Sequence, residues 1–178
     1  MDVKKPAVFL DRDGVLIREK SYICRIEEME IFPYASECIR KIKNKGYYVI
    51  VVTNQSGIAR GLFTEDDLLM MHKYMQQKTG IDAVYYCPHH PEGKIEKYRI
   101  ACNCRKPKTG MFEQACREYK IDMSHSYMVG DRAGDVIAGQ KAGLKTILLE
   151  SGYGSGRLEV DVHPDYILDD LRMVVGIL

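Results

Sequence analysis

The chain carries almost no excess charge. Its 26 lysines and arginines stand against 25 aspartates and glutamates, a formal net charge of +1. That balance gives no broad electrostatic pull toward nucleic acid or an anionic membrane, although it is compatible with a local basic site. Long hydrophobic runs are also missing. No apolar stretch reaches the ~18 residues of a membrane span. Met1 to Pro6 is short and charged and holds no secretory hydrophobic region. The expectation is a cytoplasmic protein with no membrane and no nucleic-acid partner. No repeat and no low-complexity tract is visible.

What is present is an ordinary globular composition, 46% hydrophobic and 29% charged over 178 residues. This length fits one domain, residues 1–178, with a sizeable core, and it excludes a disordered chain. In a reducing compartment the six cysteines are not expected to form a disulfide framework. Three of them, Cys87, Cys102 and Cys104, fall in one short window with His89 and His90, a clustering that suggests metal.

Strand-like and helix-like segments alternate along the chain. Ala7 to Leu10 is a short apolar run ending in Asp11-Arg-Asp-Gly14. A helical pattern over about Tyr34 to Lys45 stops at Gly46. Tyr47 to Val52 is apolar on both faces, as in a buried parallel strand, and ends at Thr53-Asn-Gln-Ser-Gly57. Thr64 and Asp67 predict a capping box for a helix reaching about Thr79. Ile81 to Tyr86 reads as a strand, Cys87 to Lys106 as a long loop, and Thr109 to Lys120 as a helix that Thr109 caps. Tyr127 to Val129 is a strand ending at Gly130-Asp131. Asp135 to Ala142 is helical, Lys145 to Leu149 is a strand, and Gly152 to Gly156 is a flexible loop. A short strand at Tyr166 to Leu168 and a last helix close the chain. His72, His125 and His163 read as ordinary surface or helix histidines.

This alternation predicts an α/β protein with a doubly wound, Rossmann-like parallel sheet. Ligands bind such sheets at the carboxyl ends of their strands. Three strands end there on polar groups: Asp11 and Asp13, Thr53 and Asn54, and Asp131. Three carboxylates on one rim repel unless a cation sits among them, and hard oxygen ligands suit Mg²⁺. Thr53 offers a hydroxyl and Arg105-Lys106 two cations, a combination suited to a phosphoryl group. Each piece alone is commonplace: a DxD is usually a turn or cap, and an RK pair is usually solvated surface. Their joint occurrence at strand and loop ends is what carries weight. Cys87-x-His89 and Cys102-x-Cys104 supply three thiolates and an imidazole, a set that suits tetrahedral structural Zn²⁺, with His90 a possible substitute for His89.

Five stretches make the pattern specific: Leu10-Asp-Arg-Asp-Gly-Val15, Val51 to Gly61, Cys87-Pro-His-His-Pro91, Cys102-Asn-Cys-Arg-Lys-Pro107 and Met128 to Asp135. Together they resemble the haloacid dehalogenase (HAD) superfamily of phosphatases. Within it they resemble the heptose 1,7-bisphosphate phosphatase and histidinol-phosphatase family. The likeness spans roughly residues 7 to 154.

The resemblance implies roles. Asp11 would be the nucleophile and Asp13 the general acid and base, while Thr53 and Lys106 hold the phosphoryl oxygens. Mg²⁺ would lie between Asp11, Asp131 and the backbone carbonyl of Asp13. Arg12, Glu19, Tyr22, Asn54, Gln55, Ser56 and Arg105 would bind substrate. Zinc would sit on Cys87, His89, Cys102 and Cys104, stapling loop 87–106 and fixing Arg105 and Lys106. The expected activity is Mg²⁺-dependent release of the C7 phosphate from a heptose 1,7-bisphosphate through an aspartyl-phosphate, by a monomer without a separate cap domain.

Val15 to Tyr22 departs from the family pattern at Glu19-Lys20-Ser21. Histidinol phosphate or another small sugar phosphate is therefore the alternative substrate. A polynucleotide 3′-phosphatase is disfavoured by the neutral charge and the lack of a basic-aromatic strip. A dinucleotide-binding module would need a GxGxxG at the first βα turn, which is missing. A catalytically inactive binding domain is disfavoured because every catalytic residue type is present.

Overall fold

Short apolar segments set the frame. In the computed structural model, which describes residues 4–158 and 161–178, β1 (Ala7–Leu10) is buried along its whole length. Such a strand needs cover on both faces, and the chain provides it. The elements that follow are α1 (Ala35–Asn44), β2 (Tyr48–Asn54), α2 (Glu65–Thr79), β3 (Ala83–Cys87) and α3 (Gly110–Glu118). Then come β4 (Tyr127–Gly130), α4 (Ala133–Lys141), β5 (Lys145–Leu149), β6 (Tyr166–Leu168) and α5 (Leu171–Ile177). The six strands form one parallel sheet in the order β3-β2-β1-β4-β5-β6. Met1 to Val3, part of the N-terminal segment read above, lie outside the described residues.

Strand alternation divides the core in two. Val8, Leu10, Val49 and Val51 face one layer, packed by Ile39 and Ile42 of α1, Leu68, Met71 and Met75 of α2, and Leu171 and Val174 of α5. Ala7, Phe9, Ile50 and Val52 face the other, packed by Met111, Phe112 and Ala115 of α3 and Ala138 of α4. Phe9 and Phe112 meet edge to face, with ring centroids 5.0 Å apart. Each fully buried side chain of this size contributes about 1.5–3 kcal/mol relative to exposure. The connections run outward from β1 to β3, then return to β4 on the other side. The switch falls between β1 and β4, so a crevice opens at their carboxyl ends.

The capping box of α2 is formed. Thr64 Oγ1 accepts from the Asp67 amide at 3.1 Å, and Asp67 Oδ2 accepts from the Thr64 amide at 2.8 Å. Thr109 does not cap α3 as the sequence suggested. Its backbone is already helical (φ −101°, ψ −1°), which turns the hydroxyl away from the first-turn amides, and it donates instead to Glu113 Oε1 at 2.6 Å. Loop 87–106 includes a single helical turn, Glu96–Tyr98, whose Tyr98 hydroxyl donates to Glu65 Oε2 at the start of α2. The C-terminal residues, which bear no motif, supply β6 and the two core side chains of α5.

His72 is a helix histidine but not a surface one: it is only 4% exposed, on the buried stripe of α2 with Leu68, Met71 and Met75. Its ring stands edge-on to Tyr86, 5.7 Å between centroids. Burial, and next the Arg12 charge, holds its pKa down to about 3 from the ordinary 6.5. Between those values the unfolded chain carries a proton that the folded chain lacks. Stability due to this group is therefore complete above about pH 6.5 and is lost as pH falls toward 3. We expect wild type to lose up to about 1.4 kcal/mol per pH unit more than His72→Phe between pH 6 and 4. Denaturant titrations at several pH values check this, and parallel curves for the two proteins would refute it.

Candidate active site and metal centres

Two parallel strands and the start of a helix deliver the carboxylates of the crevice. β1 leads into Asp11, whose amide donates to the Val129 carbonyl of β4 at 2.9 Å. β4 leads into Asp131, fully buried, and the first turn of α4 adds Asp135. Oxygens of Asp11, Asp131 and Asp135 all lie within 4.8 Å of one another. Above them is a cavity of about 430 Å³, bordered by Asp11, Asp13, Thr53, Lys106 and Asp135 in its depth. Glu19, Tyr22, Ser56, Arg105, Arg132 and Tyr153 also line it.

One cation is buried among these acids. Lys106 Nζ donates to Asp11 Oδ1 at 2.9 Å, to the Val52 carbonyl at 2.7 Å and to Asp135 Oδ1 at 2.6 Å. Burial works against its charge, but the Asp11 and Asp135 carboxylates outweigh that and raise its pKa. Asn54 fixes the Lys106 peptide. Its amide donates to the Lys106 carbonyl and its carbonyl accepts from the Lys106 N–H, both at 3.0 Å.

Asp13 has its own cation. Arg12, 1% exposed, grips it with a two-pronged fork, Nε to Oδ2 and Nη2 to Oδ1, both 3.0 Å. Gln55 Nε2 reaches both Thr53 Oγ1 (2.9 Å) and Asp13 Oδ2 (3.2 Å). Of the residues assigned to substrate, Glu19, Tyr22, Ser56 and Arg105 border the cavity, with Glu19 paired to Arg132 and Arg105 bonded to the His89 carbonyl. Arg12, Asn54 and Gln55 also border it, and their side chains are engaged with the protein.

The charge sum around Asp131 points to a missing partner. Burial raises its pKa to about 8, with Asp11 and Asp135 adding to the effect. Burial raises Asp11 to about 6, although Lys106 opposes it. Asp131 Oδ2 accepts from the Tyr153 amide at 2.8 Å, but Oδ1 is buried with no hydrogen-bond partner. Lys106 pairs with Asp11 and Asp135 but not with Asp131, whose unbonded Oδ1 lies 4.0 Å from Arg132 Nε. A hard divalent cation fits that donor set. The chain makes room for Asp131 with two glycines. Gly14 sits at φ +80°, and a Cβ on either Gly14 or Gly152 would collide with the Asp131 carboxylate. Gly152 to Gly156 is thus not a free loop: besides Tyr153, the Gly154 amide donates to the Asp131 carbonyl at 3.1 Å.

Sequence reasoning passed over Asp135, Arg132 and Tyr153. Asp135 Oδ2 accepts from the Asp131 and Arg132 amides, and its other oxygen meets Lys106. Its position, four residues after Asp131 at a helix start, was the available signal. Arg132 pairs with Glu19 at 2.9 Å and lies over the Tyr153 ring at 4.0 Å, contacts between distant segments that no local pattern announces.

The second cluster gathers Cys87, His89, Cys102 and Cys104, with all four ligand atoms within 4.8 Å. Cys87 and Cys102 sulfurs are 3.5 Å apart, and His89 Nδ1 lies 3.3 Å from Cys104 Sγ and 3.7 Å from Cys87 Sγ. These are close to the ~3.5–3.8 Å edges of a tetrahedron with thiolate and imidazole bonds of usual length. A hydrogen bond from Cys87, then His89 and Cys102, pulls the Cys104 thiol down to about 5. His90 turns elsewhere, its Nε2 3.4 Å from Arg60 Nη2. Arg105, next after Cys104, donates to the His89 carbonyl at 3.3 Å.

Comparison with known proteins agrees with this picture. A HAD-hydrolase-like family model matches residues 103–174. The D-glycero-beta-D-manno-heptose-1,7-bisphosphate 7-phosphatase of Pasteurella multocida is 44% identical, covering 97% of this chain and 98% of its own. That of Haemophilus ducreyi is 40% identical, covering 94% of each. Among solved structures, the D,D-heptose 1,7-bisphosphate phosphatase of B. bronchiseptica, complexed with magnesium and phosphate, superposes with a TM-score of 0.84. It is 30% identical and covers 96% of both chains.

Lys106→Met leaves the buried acids without their ammonium. In divalent-free buffer we expect it to be about 3 kcal/mol less stable than wild type, as when one partner of a buried ion pair is removed. Urea denaturation measures this, and a difference under about 1 kcal/mol would contradict the charge balance described.

Proposed function

The chain belongs to the family of the D-glycero-beta-D-manno-heptose-1,7-bisphosphate 7-phosphatases, and on that premise we propose that it hydrolyses the C7 phosphate of D-glycero-β-D-manno-heptose 1,7-bisphosphate. The observation that supports this most is Asp11, ion-paired to buried Lys106 beside the orphan oxygen of Asp131, under a cavity of about 430 Å³.

Each residue has a part. Asp11 attacks phosphorus, and the P–O bond to the sugar C7 oxygen breaks. Asp13 gives its proton to that departing oxygen. It then takes a proton from the water that attacks the aspartyl-phosphate, which frees phosphate and restores Asp11. Lys106 and Thr53 bind the phosphoryl oxygens. Asp11, Asp131 and the backbone carbonyl of Asp13 would hold Mg²⁺, which when bound would supply the positive charge that lets two anionic groups approach. Arg105, Glu19, Tyr22 and Ser56 border the sugar end. Cys87, His89, Cys102 and Cys104 hold Zn²⁺ with four protein ligands and no open position, a structural arrangement.

Phosphate release with Mg²⁺ tests the assignment across both heptose bisphosphate anomers, histidinol phosphate and a 3′-phosphorylated oligonucleotide. We expect turnover of the β anomer, abolished in Asp11→Asn. Turnover confined to another member of the panel would move the substrate and keep the chemistry. Wild-type turnover that survives in Asp11→Asn would remove Asp11 as nucleophile. For the second metal, a chelator strong enough to strip zinc should lower the melting temperature, and excess Mg²⁺ should not restore it. An unchanged melting temperature in protein shown by metal analysis to be zinc-free would exclude the structural role.

A further inference from the structure

Two buried polar side chains behind Asp13 lack partners. Arg12 gives Nε and Nη2 to Asp13, while its Nη1 is buried without an acceptor. His72 is buried with neither ring nitrogen hydrogen-bonded. Arg12 follows the end of β1, two residues after Leu10 of the layer that α2 covers, and His72 sits on the buried stripe of α2 that covers it. The Arg12 charge acts on His72, in keeping with that placement. A neutral imidazole has one acceptor nitrogen and one donor, whereas a guanidinium has only donors. The orphan N–H of one complements the orphan lone pair of the other, and buried polar groups of this kind are characteristically joined by a bound water.

We propose that Arg12 and His72 are positioning residues for Asp13: His72 accepts the remaining Arg12 N–H through a bridging water, and Arg12, so held, aims the Asp13 carboxyl at the leaving oxygen. This rests on the phosphatase reading of Asp13. It replaces the expectation that Arg12 binds substrate. A guanidinium 1% exposed, with Nε and Nη2 on Asp13 and Nη1 buried, presents little of itself to a sugar. It also gives His72 a reason to be a polar residue in an apolar layer, since Tyr86 stacking alone would be served by phenylalanine.

The test is steady-state kinetics on the heptose bisphosphate, in the wild-type and Asp13→Ala backgrounds, with calorimetry to verify folding. Removing correct proton transfer costs about 100-fold or more. We therefore expect Arg12→Gln to lower kcat on the order of 100-fold with KM within about twofold. His72→Phe should lower kcat about tenfold, and His72→Gln, which can still accept a hydrogen bond, should recover to within about threefold. In Asp13→Ala, Arg12→Gln and His72→Phe should each add less than about twofold, because they act through the missing carboxyl. Three results would overturn the proposal: a raised KM with unchanged kcat in Arg12→Gln, wild-type kcat in His72→Phe, or losses that multiply fully in Asp13→Ala. A merely structural His72 would lower the melting temperature and leave kcat alone. A folded wild type that releases no phosphate from any ester would instead sink the phosphatase reading itself.

Discussion

The site depends on one buried ammonium. Lys106 lies where β1, β2 and α4 converge and satisfies three acceptors there: Asp11, Asp135 and the Val52 carbonyl. Stripping water from an ammonium costs several kcal/mol, and only well-placed anions offset it. The arrangement is therefore all or nothing. Remove the lysine and two buried acids face each other; remove either acid and a buried cation loses a counter-charge. The same atom links segments far apart in sequence, so forming the crevice and closing the sheet around its switch point are one event.

Lys106 stands at the end of a loop too long to order itself. Fixing a residue's backbone costs about 1–2 kcal/mol, and the loop spans some twenty residues with a single helical turn. Two devices meet that cost. The Cys87, His89, Cys102 and Cys104 cluster ties the loop's two ends together two residues before Lys106. The Tyr98 hydroxyl on Glu65 and the Ile95 amide on the Ala59 carbonyl, at 2.9 Å, dock its middle. Asn54 then aligns the Lys106 peptide with the end of β2. The soft-donor cluster thus stands two residues from the ammonium of the hard-donor site.

The parts of this legible in sequence were those with local grammar. Buried strands gave apolar runs, α2 announced its capping box through Thr64 and Asp67, and rim carboxylates followed strand ends. The parts that were not legible have non-local causes. Thr109 has a capping residue's identity, but its helical backbone sends the hydroxyl to Glu113. His72 has the spacing of a buried helix stripe, but a polar side chain there is seen to be buried only once α2 is packed on the sheet. Asp135 looks like an N-terminal helix acid and is one, and only the tertiary path of Lys106 gives it a second duty. Gly152 reads as a loop residue, but its lack of a side chain is what admits Asp131.

These details share an electrostatic logic. Asp11 and Asp13 are two residues apart, and the fold gives them different surroundings. Asp11 is buried on the rim with Lys106 and near Asp131, where burial raises its pKa to about 6 and the ammonium opposes that rise. Asp13 faces outward, partly exposed, and is held by Arg12 and Gln55 instead. The two carboxyls thus differ in cation and in exposure: one is buried on an ammonium, the other is held by a guanidinium and stays open to the cavity. Thr53, bonded to Gln55, lies between them, so the groups that would hold the phosphoryl and those that orient Asp13 form one connected network. A network of that kind needs no rearrangement as charge develops, which is the condition under which electrostatic stabilisation is largest.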